Sequence, residues 1–73
     1  RKTGIGSEAI RLALRYAFDK LRCEQVYAEV LASNEASQQM LRSIGFEHTA
    51  TLPRWHWQDN HYEDLHYYQI WHP

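Results

Sequence analysis

The sequence predicts an α/β (α+β) fold with its elements in the order helix, strand, helix, β-hairpin. Three observations carry that expectation. A three-four apolar periodicity follows the opening segment, and an alternating β-rich run comes after it. A second helical stripe ending in Gly-Phe then precedes a long aromatic tail broken by Asp-Asn. With 73 residues there is room for one domain. A chain of that size buries only about 60% of its unfolded surface.

In the first element Ile10, Ala13, Leu14, Ala17, Phe18 and Leu21 form the apolar stripe, and Arg11, Arg15 and Asp19 fall off it. Ser7 and Glu8 suit the free N–H groups of a first turn, so the helix is expected from Gly6 or Ser7 to Arg22. In "QVYAEVLAS", Val26, Ala28, Val30 and Ala32 share one parity and Tyr27, Glu29 and Leu31 the other, the mark of a strand. A strand after a helix suits half of a βαβ unit, whose preceding parallel strand this chain does not supply.

The second helix is "SNEASQQMLRSIGF". Ser33 or Asn34 caps it, and Ser37, Met40, Leu41 and Ile44 are its expected buried stripe. Gly45 stops it in a left-handed conformation, letting Phe46 fold back onto Leu41. The tail reads as a hairpin turning at Asp59-Asn60. That turn sets Trp57 against Tyr62, His56 against Glu63 and Trp55 against Asp64, with Pro53 at an unpaired or bulged position.

Composition narrows the function. Cys23 is the only cysteine, which excludes an internal disulfide and a thiolate-rich zinc site and fits a reducing, cytoplasmic setting. A net charge of -1 offers no basic field, so no nucleic-acid partner is expected. No apolar run approaches the roughly 18 residues of a membrane span, and no signal-peptide pattern is present. His56, His61 and His66 are evenly spaced, but strand alternation puts His56 and His61 on opposite faces, so no metal site is expected.

The opening "RKTGIGS" carries the clearest chemical signal. Gly4 and Gly6 free the backbone so that successive N–H groups can converge on an anion, and the following helix adds its positive end. Arg1 and Lys2 add full charges. Together they suit a pyrophosphate, although the same glycines also suit a tight turn. The Gly-Lys-Ser/Thr ending of a P-loop is missing. So is the acidic residue with which a dinucleotide fold holds its ribose.

Arg1-x-x-Gly4-x-Gly6 resembles the Q/R-x-x-G-x-G/A loop of the GNAT superfamily of N-acetyltransferases. "NEASQQMLRSIGF" is similar to that family's N-x-x-S/A-x-x-x-[YLV]-x-[KR]-x-GF segment. "DNHYED" resembles the N-G-x-Y-x-D hairpin of the branch acetylating ribosomal-protein N-termini, with Asn60 where glycine is usual. The resemblance covers essentially the whole chain. It implies the C-terminal half of an acyl-CoA N-acyltransferase fold, residues 1–73 forming a partial domain without its N-terminal half. The implied activity moves acetyl from acetyl-CoA to an amine acceptor, a protein N-terminus or a small molecule.

By this resemblance Arg1, Lys2, Thr3, Gly4, Ile5, Gly6 and Ser7 hold the pyrophosphate of coenzyme A. Asn34 bonds the pantetheine arm or fixes the strand–helix junction, and Arg42 reaches the adenosine phosphate. Many relatives place a tyrosine acid seven residues after the Asn, where this chain has Leu41. Ser37 is the substitute in the same helix, and His56 is a proton relay. The family's oxyanion donor and often its base come from the strand ahead of the loop, so the chain alone is expected to be inactive. The alternative is a non-catalytic interaction or oligomerisation module, its aromatic hairpin favouring a homodimer.

Overall fold

The computed structural model describes residues 2–73; Arg1, expected at the phosphate end, lies outside the described residues. The elements are α1 (Lys2–Asp19), β1 (Gln25–Leu31), α2 (Glu35–Ile44), β2 (Glu47–Gln58) and β3 (His61–Trp71). The strands form one antiparallel sheet in the order β1-β3-β2. The expected order of elements is therefore the observed one.

Two ends of α1 depart from expectation. The helix starts at Lys2 rather than at Gly6 or Ser7. Once a turn exists, each further residue adds a hydrogen bond, and a helical glycine costs only about 1 kcal/mol against alanine. Ser7 is thus no cap, and its hydroxyl accepts from Arg11 Nε at 3.4 Å one turn on. At the other end α1 stops at Asp19, short of Arg22, whose φ of 61° turns the chain left-handed. Leu21 falls outside the helix and is exposed, as is Ala13, whereas Leu14 and Phe18 are buried.

α2 forms for the reasons its sequence offers. Asn34 Oδ1 accepts from Ser37 N–H at 3.2 Å, filling one of the orphan donors of a first turn. Gly45 sits at φ 122°, and its N–H donates to the Arg42 carbonyl at 3.0 Å. Phe46 N–H returns to the Leu41 carbonyl, also at 3.0 Å, which completes the Schellman closure.

Cross-strand pairs Val26/Ile70 and Ala28/Tyr68 place four side chains on the sheet face that meets the helices. Leu14, Phe18, Val30, Leu41, Phe46 and Tyr68 make the buried core there. Of the expected α2 stripe, Leu41 is buried and Ser37, Met40 and Ile44 are half-buried. Gln38, which lies off that stripe, is buried.

The hairpin turns at Asp59 and Asn60, with φ of 53° and 67°. Two left-handed central residues match the twist of the flanking strands. Trp57 faces Tyr62 and His56 faces Glu63 as expected. Trp55 does not face Asp64. The ladder slips between Leu52 and His56, because Pro53 has no N–H to give it. Arg54 takes φ 55° in the bulge, and its N–H donates to Asp64 Oδ1 at 3.0 Å. The Trp55 ring is left outside, 60% exposed.

Strand β3 pairs with β1 only over Leu65–Trp71, so its first residues and the end of β2 project as a two-stranded arm. Among the described residues β1 has a partner on one side only. No described helix is long and apolar enough to cross a membrane.

Candidate functional site

A cleft of about 270 Å³ opens where α1, β1 and the N-terminal part of α2 meet. Ile10 comes from α1; Ala28, Glu29 and Val30 from β1; Asn34 from the cap of α2, and Ser37, Met40 and Leu41 from α2 itself. The helices approach closely beside it. A methyl group placed on Gly6 would lie 3.5 Å from Met40 Sδ, an ordinary contact. An apolar floor thus lies next to a polar rim, at a strand edge whose N–H and C=O groups have no ladder partner among the described residues.

The cleft gathers some of the expected site residues and leaves others out. Asn34 and Ser37 stand together at its rim. Asn34 Oδ1 already accepts from the Ser37 N–H, and the donor Asn34 can offer a ligand is its Nδ2 amide group. Lys2, Thr3, Gly4 and Ile5 form the first turn of α1 and Gly6 and Ser7 continue the helix, so the expected open concavity is replaced by a helix end. A helix starting at Lys2 leaves the N–H groups of its opening turn without intrahelical partners. That end still favours an anion.

Arg42 is not at the cleft. Five residues beyond Ser37, it is turned roughly 140° away around the helix. Its guanidinium lies 5.5 Å from the centroid of the Tyr68 ring. It borders a separate pocket of about 260 Å³ with Ala32, Glu35, Gln38, Gln39 and His66. His56 is remote as well. It sits in the projecting arm on β2, the strand farthest from β1, with its Nε2 3.0 Å from Gln58 Oε1. The structure therefore joins Ser37 to Asn34 and separates both from Arg42 and His56.

Two residues emerge that the sequence reading passed over. Glu29 borders the cleft through its place in β1, but strand alternation sends its carboxylate to the face opposite Ala28 and Val30. There it stands across from Tyr67. Desolvation, and then the Glu29 carboxylate, hold the Tyr67 phenol above its ordinary value, which favours the neutral form. Tyr67 also stacks on Tyr27, with centroids 5.7 Å apart. An acid in the middle of a β-rich run was the available signal for Glu29. Gln38 carried none, being a polar residue one position off an apolar stripe.

Residues 1–47 match the family profile of the acetyltransferase (GNAT) domain. Over 69 residues the chain is 31% identical to the uncharacterized N-acetyltransferase YoaA of Bacillus subtilis (strain 168), covering 94% of this chain and 39% of that protein. The crystal structure of a probable acetyltransferase superposes with a TM-score of 0.85 at 28% identity, over 93% of this chain and 38% of the other. A dodecameric spermidine N-acetyltransferase from Vibrio cholerae shares the fold with a TM-score of 0.86 at 24% identity, over 93% of this chain and 40% of its own. The chain spans about two fifths of the length of these relatives. The profile match takes in α1, β1 and α2, the three elements that build the cleft, and on that ground the chain belongs to the GNAT acetyltransferase family.

Proposed function

We propose that this chain forms the coenzyme A side of an N-acetyltransferase that moves an acetyl group from acetyl-CoA to an amine. The supporting observation is the cleft, which combines three features a coenzyme A molecule requires. The α1 N-terminus offers the partial positive charge of a helix start to a diphosphate. The open edge of β1 offers strand-like hydrogen bonding to an arm rich in amides, beside the Asn34 side-chain amide. Ile10, Val30 and Leu41 offer an apolar floor.

Acetyl-CoA supplies the activated acetyl thioester when bound. Ser37 contributes a hydroxyl donor at the rim, standing in for the tyrosine that Leu41 replaces. Glu29 contributes a carboxylate on the far side of the edge strand, able to accept a proton from an approaching ammonium. We assign the strand flanking β1, and with it the oxyanion donor, to the part of the relatives this chain does not span. The acceptor is an amine; the hairpin motif keeps a protein N-terminus in view, and the Vibrio cholerae relative acts on spermidine.

The rival reading, a module recruiting partners through its hairpin, is weaker. Trp55, Trp57 and Tyr62 are exposed, but β2 is interrupted by two register shifts and Pro53. Such interruptions blunt an edge against strand addition.

Calorimetric titration of the full-length protein with coenzyme A tests the proposal. Gly6→Asp brings an anion to the phosphate end and should weaken binding by about tenfold or more, the factor 1.4 kcal/mol represents. Gly6→Ala adds only a contact to Met40 and serves as the steric control. Unchanged affinity in Gly6→Asp overturns the reading.

A further inference from the structure

Gln38 is the one buried polar side chain among the described residues, 5% exposed, and every hydrogen-bonding position it has is filled. Its Nε2 donates to the Ala32 carbonyl at 2.9 Å and to the Leu31 carbonyl at 3.4 Å. Its Oε1 accepts from Tyr68 Oη at 2.8 Å and lies 3.1 Å from His66 Nδ1. The two carbonyls can only accept, which fixes the orientation of the amide. Its oxygen can only accept too, so the hydrogen between Gln38 and His66 belongs to Nδ1. In a neutral imidazole the lone pair then rests on Nε2.

The neighbouring ring is constrained the opposite way. His48 stacks on His66 with centroids 4.4 Å apart. Its Nε2 lies 2.9 Å from Thr51 Oγ1, which can donate or accept, and 3.0 Å from the Ala50 carbonyl, which can only accept and so places the hydrogen on Nε2. Two stacked imidazoles thus hold complementary tautomers, and His66 borders the pocket of Glu35, Gln39 and Arg42.

The placement of Gln38 gives this network a consequence on the other face of α2. Leu31 and Ala32 directly precede the Ser33-Asn34 turn, and Ser37 directly precedes Gln38. We propose that Gln38 is a positioning residue. It pins the β1–α2 turn that carries Asn34 and Ser37 to the cleft, and it holds His66 as the Nδ1–H tautomer with Nε2 as an acceptor toward the pocket. The consequence for coenzyme A rests on the function proposed above; the tautomer and the turn do not.

The experiment is nitrogen-15 NMR of histidine side chains and backbone amides in the full-length protein, combined with coenzyme A calorimetry. Wild type should show a protonated Nδ1 and an unprotonated Nε2 at His66. Gln38→Leu should give a mixture of His66 tautomers and faster hydrogen exchange at the Ser37 amide. In Gln38→Glu the carboxylate still accepts from His66 and Tyr68 but cannot donate to Leu31 and Ala32. That variant should keep Nδ1–H while losing Ser37 protection. Both variants should bind coenzyme A about tenfold more weakly, a 1.4 kcal/mol change.

A wild-type His66 with its hydrogen on Nε2 overturns the proposal without any variant. So does Ser37 exchange that is unchanged in folded Gln38→Leu or Gln38→Glu. If wild type itself fails to bind coenzyme A, the functional reading falls, and the tautomer and exchange measurements still decide the role of Gln38.

Discussion

Glu63 Oε1 accepts two hydrogen bonds from Ser33, one from Oγ at 2.9 Å and one from the backbone N–H at 3.3 Å. The pair ties the root of the projecting arm to the turn that carries Asn34. Hydrogen bonds to a charged acceptor contribute about 1.5–3 kcal/mol when shielded, and this contact is partly open to water. Glu63→Ala should therefore lower stability by about 1–2 kcal/mol in urea denaturation. Glu63→Gln, which retains one oxygen acceptor, should lose less; equal losses would show that the acceptor contributes nothing.

Asn34 has two separable duties in this scheme. As a cap it uses Oδ1, whereas a ligand would use Nδ2. Asn34→Asp keeps the capping oxygen and should leave the melting temperature nearly unchanged while weakening coenzyme A binding. Asn34→Ala should lose both, with about 1 kcal/mol of stability going with the cap. Thermal melts and calorimetry on the same two variants check this.

Gly45 closes α2 at φ 122°, and a Cβ there would meet Ile70 Cδ1 at 3.3 Å. Backbone strain and that tight contact act in the same direction. Gly45→Ala should destabilise the protein by about 1–3 kcal/mol, measured as a lower denaturant midpoint at an unchanged slope.

Tyr67 gives a prediction in pH. A phenol held above its ordinary value binds its proton more tightly in the folded state than in the unfolded one. The stability it contributes is thus complete below about pH 10 and is lost as pH rises through its folded value. Ultraviolet phenolate absorbance, taken as the difference from Tyr67→Phe, should show a midpoint above that of an ordinary phenol. Glu29→Gln should lower that midpoint without returning it fully, since desolvation is the larger cause. A midpoint unmoved in Glu29→Gln would remove the carboxylate from the account.

What the sequence determined by itself was local. Apolar spacing gave the type and order of the five elements, and the Gly45-Phe46 closure and the Asp59-Asn60 turn followed from the backbone needs of those residues. The pairs next to that turn followed as well, because two strands leaving a two-residue loop have only one register. The tertiary structure decided the rest. The pairing of Trp55 with Asp64 failed because Pro53 cannot donate to the ladder and Asp64 was drawn to the Arg54 N–H instead. Arg42 and Ser37 sit on one short helix, where spacing alone turns them roughly 140° apart, but only the tertiary structure shows what each face meets. Gln38 is buried because Tyr68, His66 and the carbonyls of Leu31 and Ala32 converge on it from 6 to 30 residues away in sequence. A periodicity says which positions share a face, but what lies across from that face is set by the rest of the chain.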